Sequence, residues 1–140
     1  MVKVAVLGSG AWGVALGILL AENGNDVTMW TLLENEAKML KEDRENKISL
    51  PGVKLHDSMK VTTDLEEAAK DKDVIVLATA SRFIRSTSAK IKDFVKENQI
   101  IVNVAKGIEE STLMTMTDII MKRFQDVRQL YYLDQAMLKK

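Results

Sequence analysis

The segment Lys3-Val4-Ala5-Val6-Leu7 runs straight into Gly8-Ser9-Gly10-Ala11-Trp12-Gly13, and from Trp12 to Asn23 apolar residues recur at helical spacing. Gly24 follows, where a helix C-cap belongs, and Asp26-Val27-Thr28-Met29-Trp30 reads as a second strand. Few local patterns constrain a fold more. A short Val-rich strand predicts a parallel strand buried on both faces. Glycines at the G-x-G-x-x-G spacing then predict a tight turn into a helix, the dinucleotide-binding fingerprint when a βαβ unit surrounds it. Gly8 permits the turn, Gly10 leaves the pyrophosphate unobstructed, and Gly13 lets helix and strand pack closely. The free amides and positive dipole end of the helix attract phosphate.

The alternation continues. Glu34 to Glu45 reads as a helix, and Asn46 to Lys60, with the sole proline in Leu50-Pro51-Gly52 and the sole histidine, His56, as an irregular excursion. Lys60-Val61-Thr62 predicts a short strand, and Thr63 to Glu66 has capping-box spacing for a helix to about Lys70. Val74 to Ala78 is the clearest buried strand. Arg82 to Glu97 reads as a helix with Phe83, Ile84, Ile91, Phe94 and Val95 inward, and Ile100 to Val104 as another strand. After Gly107 there is neither glycine nor proline, and the apolar spacing of Leu113 to Phe124 and of Val127 to Leu138 predicts one long helix or two. The expected class is α/β: a Rossmann-like parallel sheet of about five strands, helices on both faces, and a helical C-terminus.

Charge excludes some alternatives. Residues 1–70 carry eight basic and eleven acidic residues, and residues 71–140 twelve and nine. That split gives no basic patch, so nucleic acid is not an expected partner. Val4 to Ala21 holds no charge, and Gly13 to Gly17 matches a G-x-x-x-G pattern. Four glycines make it a poor membrane helix, and no cleavage site for a signal peptide follows, so no membrane association is expected. The absence of cysteine excludes disulfides and thiolate metal sites and suits a cytoplasmic location.

A dinucleotide site of this kind ordinarily has Asp or Glu at the end of the second strand, bonded to ribose hydroxyls. Here Trp30-Thr31-Leu32-Leu33 intervene and Glu34 is the first acid. Glu34 either reaches back to the ribose or sits in the first turn of the next helix, where any acid is favourable. No Arg or Lys lies between Asp26 and Lys38 to clamp a 2′-phosphate, which favours NAD over NADP. Ala78 to Phe83 and Ala105-Lys106-Gly107 follow strand ends, where ligands of open α/β sheets bind. Lys106 is then either a phosphate or hydroxyl contact or a solvated surface lysine. His56 lacks metal-ligand companions and reads as a loop residue. The methionines read as core filler, and Glu66-Glu67 and Glu109-Glu110 as solvated helix-end charges.

The sequence resembles the NAD(P)-dependent glycerol-3-phosphate dehydrogenases. The likeness rests on Gly8-Ser9-Gly10-Ala11-Trp12-Gly13, Asn23-Gly24 before Val27 to Trp30, Arg44-Glu45-Asn46, Leu50 to Leu55, Ser81-Arg82-Phe83-Ile84 and Ala105 to Glu109, in order over residues 1 to about 120. It implies NAD, with NADP as the alternative, and interconversion of sn-glycerol 3-phosphate and dihydroxyacetone phosphate by hydride transfer. By the same resemblance Gly8 to Gly13 hold the pyrophosphate, and Trp12, Leu32, Ser81 and Phe83 border the cofactor. Lys106 contacts cofactor and substrate.

The chain departs from that family at Ala80, where members usually carry proline, at Ala11, where many carry serine, and near Leu32, where members carry basic or aromatic residues. The resemblance is not recognised from about Met121 onward. The helical domain that supplies the family's catalytic lysine is not among these residues. The expectation is a single cofactor-binding domain over residues 1–140, with 121–140 a divergent helical tail and with no catalytic residue of its own. Such a domain is inactive alone and takes glycerol 3-phosphate only if a catalytic domain is supplied. A sheet cut short would leave an edge open to a partner, so a homodimer is the alternative expectation.

Overall fold

The structure, a computed structural model, describes residues 1–124 and the backbone of residues 129–132. Six parallel strands form one sheet: β1 (Lys3–Leu7), β2 (Asp26–Trp30), β3 (Lys60–Thr62), β4 (Val74–Leu77), β5 (Ile100–Asn103) and β6 (Gln129–Tyr132). Their order is β3-β2-β1-β4-β5-β6, the doubly wound order whose direction reverses between β1 and β4.

Helices α1 (Ala11–Glu22), α2 (Glu34–Glu42), α3 (Leu65–Ala69), α4 (Ile84–Ile91) and α5 (Met116–Arg123) cover the sheet. The pleat decides which residues meet them, because successive side chains face opposite ways. Val4 and Val6 of β1 join Val14 and Ala21 of α1 and Ala37 and Leu40 of α2 in one core. Ala5 and Leu7, one position out of phase, join Ala68 of α3, Ile84 and Ile91 of α4 and Ile119 and Ile120 of α5 in the other. A strand buried on both faces must be apolar at every position, so β1 and β4 read as continuous hydrophobic runs. Among the methionines, Met29, Met59 and Met116 are core residues, whereas Met121 is exposed.

Three sequence expectations need correction. Asp64, not Thr63, caps α3: its Oδ1 accepts from the Glu66 and Glu67 amides at 3.0 and 3.2 Å, and the Thr63 hydroxyl turns instead to Glu34. The C-terminal region is not one long helix: of the two expected as the alternative, the first is present as α5. Residues 107–115 form a turn, closed by a bridge between Ile108 and Thr115, before α5 begins. Leu113 takes φ +60° in that turn, the conformation a glycine would signal. The Thr115–Asp118 capping box then starts α5. The third correction is β6, which pairs in parallel with β5, Ile101 against Leu130, where helix was expected. An unpaired β5 edge offers a row of unmet backbone donors and acceptors, and an adjacent segment with aromatic and β-compatible residues satisfies them. Strand β6 thus covers the β5 edge and becomes the last strand on that side of the sheet. The helical expectations at Val127, Met137 and Leu138 lie outside the described residues. Among the described residues, no helix is long and apolar enough to cross a membrane.

Candidate dinucleotide-binding site

A cleft of about 680 Å³ lies across the carboxyl ends of β1, β2, β4 and β5. Its position at the reversal of strand order is where open α/β sheets bind ligands, and its volume is in the range of small-molecule sites. Gly8, Ser9, Gly10, Ala11, Trp12, Leu32, Ser81, Phe83 and Lys106 all line it. Glu34 does not: its Oε1 accepts from the Thr63 hydroxyl at 3.0 Å. Of its two readings, the first-turn one agrees with the geometry.

The glycine turn is shaped by close approaches. Gly8 has φ +133°, and a Cβ there would lie 2.4 Å from the Ala78 carbonyl oxygen. A Cβ on Gly13, which packs below the turn and not in the cleft, would lie 2.2 Å from the Gly8 carbonyl oxygen. Gly10 differs: a Cβ there meets nothing within 4 Å, because the position opens into the cleft. Gly10 is the N-cap of α1. No side chain caps this helix, and its first turn carries no acid, so the leading amides are left for a ligand.

The opposite bank comes from the segments after β4 and β5. Arg82 stacks over the Phe83 ring at 4.8 Å. Arg82, Lys90 and Lys106 give the cleft three cationic residues. The Asn103 side chain holds the turn before Lys106, accepting from the Ala105 amide at 2.9 Å and donating to its carbonyl at 3.0 Å. Lys106 itself is exposed and has no ion-pair partner among the described residues. The Thr79 Oγ1 atom is buried without a hydrogen-bond partner beside the cleft, an orphan that a bound polar group would satisfy. Ala80 sits at φ −56°, the value a proline ring imposes, so the backbone keeps the shape that the family's proline would give.

Sequence reading missed Glu36, and it named Asn46 only within a segment of the family likeness, without a role. Glu36 lines the cleft, and its Oε1 accepts hydrogen bonds from the Ser9 hydroxyl and, at 3.1 Å, from the Asn46 side chain. Asn46 also donates to the Ser9 carbonyl at 2.6 Å. The Arg44-Glu45-Asn46 segment thus braces the glycine turn from 37 residues away. His56 stays in its loop, its Nδ1 2.8 Å from the Ser58 hydroxyl, and the described residues contain no cluster able to hold a metal.

Glu109 is likewise not a merely solvated charge. Arg85 donates to both of its oxygens, at 2.8 and 2.9 Å, and Thr112 to one at 2.6 Å. The Arg85 guanidinium first, and then the Thr112 hydroxyl, hold the Glu109 carboxyl down at about 2. The folded state thus keeps the carboxylate ionised where the unfolded chain, with its ordinary value of 4.5, takes up a proton. This contribution to stability is complete above the unfolded value and is lost as pH falls from 4.5 toward about 2. Melting temperature should decline across that window, and Arg85→Met should flatten the decline.

The model of the NAD-dependent glycerol-3-phosphate dehydrogenase N-terminus matches residues 3–136. The chain belongs to this family. It is 53% identical over 126 residues to the glycerol-3-phosphate dehydrogenase (NAD(P)+) of Fusobacterium nucleatum, covering 90% of this chain and 38% of that protein. Against the enzyme of the same name from Agathobacter rectalis it is 54% identical over 120 residues, covering 86% and 36%. The chain thus spans little more than a third of the length of these relatives. Among solved structures, the glycerol-3-phosphate dehydrogenase of Coxiella burnetii superposes with a TM-score of 0.81 at 20% identity, covering 92% of this chain and 38% of that one. The yeast enzyme GPD1 superposes at 0.79 with 25% identity, covering 94% and 41%. The family is NAD(P)-dependent, and the fold is shared over 92% and 94% of this chain with these two structures.

Proposed function

We propose that this chain is the cofactor-holding part of a glycerol-3-phosphate dehydrogenase: it binds NAD(H) and, tested by itself, turns over little or no substrate. The observation that carries the reading is the open position at Gly10. A backbone bared on the cleft side, at an uncapped helix start, is what a diphosphate needs. The leading amides of α1 take the diphosphate there. Trp12 and Phe83 flank the dinucleotide, and the Thr79 hydroxyl gains a partner.

When bound, the nicotinamide supplies a hydride acceptor or donor for sn-glycerol 3-phosphate and dihydroxyacetone phosphate. Lys106 stands at the β5 end of the same cleft, where its ammonium faces a phosphate or a substrate oxygen. Moving the alcohol proton needs a group within hydrogen-bond reach of it. In the family this chain resembles, a lysine outside the segment matched here performs that step.

Titration with NADH, followed by the fluorescence of Trp12 at the cleft, should saturate. NADH with dihydroxyacetone phosphate and the 140-residue chain should show no turnover above background. Absence of NADH binding would refute the site, and robust turnover would refute the division of labour.

A further inference from the structure

We infer that Glu36 is the residue that discriminates at the cofactor's 2′ position and that it selects the dinucleotide without a 2′-phosphate; this rests on the cleft being the dinucleotide site. The ribose of a dinucleotide bound in this fold lies outside the end of β2, beside the glycine turn. At that place the strand offers Thr31, Leu32 and Leu33 and no acid. Glu34 is turned away to Thr63. Glu36, in the first turn of α2, is the acid that lines the cleft there.

Its placement is built, not incidental. Oε1 is held from two sides by the Ser9 hydroxyl and the Asn46 amide, and both of those residues are buried, at 5% and 1% exposure. Asn46 is fixed in turn by its bond to the Ser9 carbonyl and by accepting from the Ile48 and Ser49 amides at 3.1 and 3.0 Å. The second carboxylate oxygen, Oε2, has no hydrogen-bond partner among the described residues. An ionised carboxylate only accepts, so Oε2 can take a ribose hydroxyl and repels a phosphate at the same carbon. Glu36 forms no ion pair among the described residues. Arg82, Lys90 and Lys106 come from the β4 and β5 side of the cleft, and none occurs in the sequence between Asp26 and Lys38.

The test compares NADH and NADPH binding to the wild-type chain and to Glu36→Gln. Glutamine keeps an oxygen for Ser9 and Asn46 and removes only the charge. Wild type should favour NADH by about tenfold or more, the scale of one unscreened charge repulsion near a surface. Glu36→Gln should shrink that ratio about tenfold, mainly by tighter NADPH binding. A second measurement needs no variant. Raising the ionic strength screens a repelled 2′-phosphate and narrows the wild-type ratio, whereas an attracted one would widen it. An unchanged ratio in Glu36→Gln overturns the assignment, as does a wild-type preference for NADPH or a ratio that widens with salt. Each of those outcomes leaves dinucleotide binding itself intact. A wild-type chain that binds neither molecule overturns both readings together.

Discussion

Gly13→Ala should lower the stability of the domain by about 3 kcal/mol, the upper range for forcing an extra methyl into a packed site. The added carbon would lie 2.2 Å from the Gly8 carbonyl oxygen. The obstacle is backbone, so no side-chain rotation relieves it. Helix α1 must move off β1, and the contacts of Val14 with Val4 and Val6 in the core loosen with it. Gly8→Ala should cost a similar amount for two reasons: a contact of 2.4 Å with the Ala78 carbonyl oxygen and a φ of +133° that alanine avoids. For a domain of this size about 3 kcal/mol corresponds to roughly 10 °C in melting temperature. Thermal or urea unfolding of the two variants beside wild type checks the claim. A melting point within experimental error of wild type for Gly13→Ala would mean that helix and strand are not packed as described.

What could be read in advance follows a physical divide. In β1 from Val4 to Leu7 and in β4 from Ile75 to Leu77 both faces are buried, and with Ile100 to Val102 of β5 these runs of Val, Ile and Leu stand out without any knowledge of neighbours. The glycine turn is equally legible because the motif that signals it spans six residues, although the Ala78 carbonyl that excludes a side chain at Gly8 comes from the end of β4. β6 is not, because residues 125–132 mix Gln, Asp and Arg with aromatics. An edge strand there is selected by the free side of β5 and not by its own pattern. The turn at 107–115 hid for a related reason. Leu113 takes the conformation that glycine would have announced, and the Arg85–Glu109 pair and the Thr115 cap hold it there.

The candidate site divides the same way. Gly8 to Trp12, Leu32, Ser81, Phe83 and Lys106 follow strand ends, and any βαβ reading brings strand ends to one edge. Glu36 and Asn46 reach Ser9 across 27 and 37 residues of chain. Counting forward from the strand therefore reached Glu34 as the first acid, open to a ribose or a first-turn reading, and that carboxylate is spent on Thr63. Spacing shows which residues share an element. It does not show which carboxylate an excursion such as Asn46 to Lys60 will pin against a turn.

Gly10→Val should do the opposite of Gly13→Ala: the fold survives and the ligand is held less tightly. Gly10 has φ −70°, which any residue adopts, and a Cβ there meets nothing within 4 Å. As an N-cap without a side-chain bond it gives up little on substitution, less than about 1 kcal/mol. The melting temperature should stay within a few degrees of wild type. The branched side chain nevertheless projects into the cleft at the leading amides of α1, where the diphosphate must come within hydrogen-bonding distance of the backbone. Overfilling a close-fitting site costs about 1–3 kcal/mol, or about 5- to 150-fold in affinity. The NADH dissociation constant should rise by that factor while the thermal transition barely moves. The contrast between the two glycines makes the result diagnostic, since they lie three positions apart in one motif. If Gly13→Ala lowers the melting temperature and Gly10→Val weakens NADH binding, the motif separates into a packing half and a ligand half. If Gly10→Val binds NADH as wild type does, the diphosphate does not lie on this helix, whatever the sequence resembles.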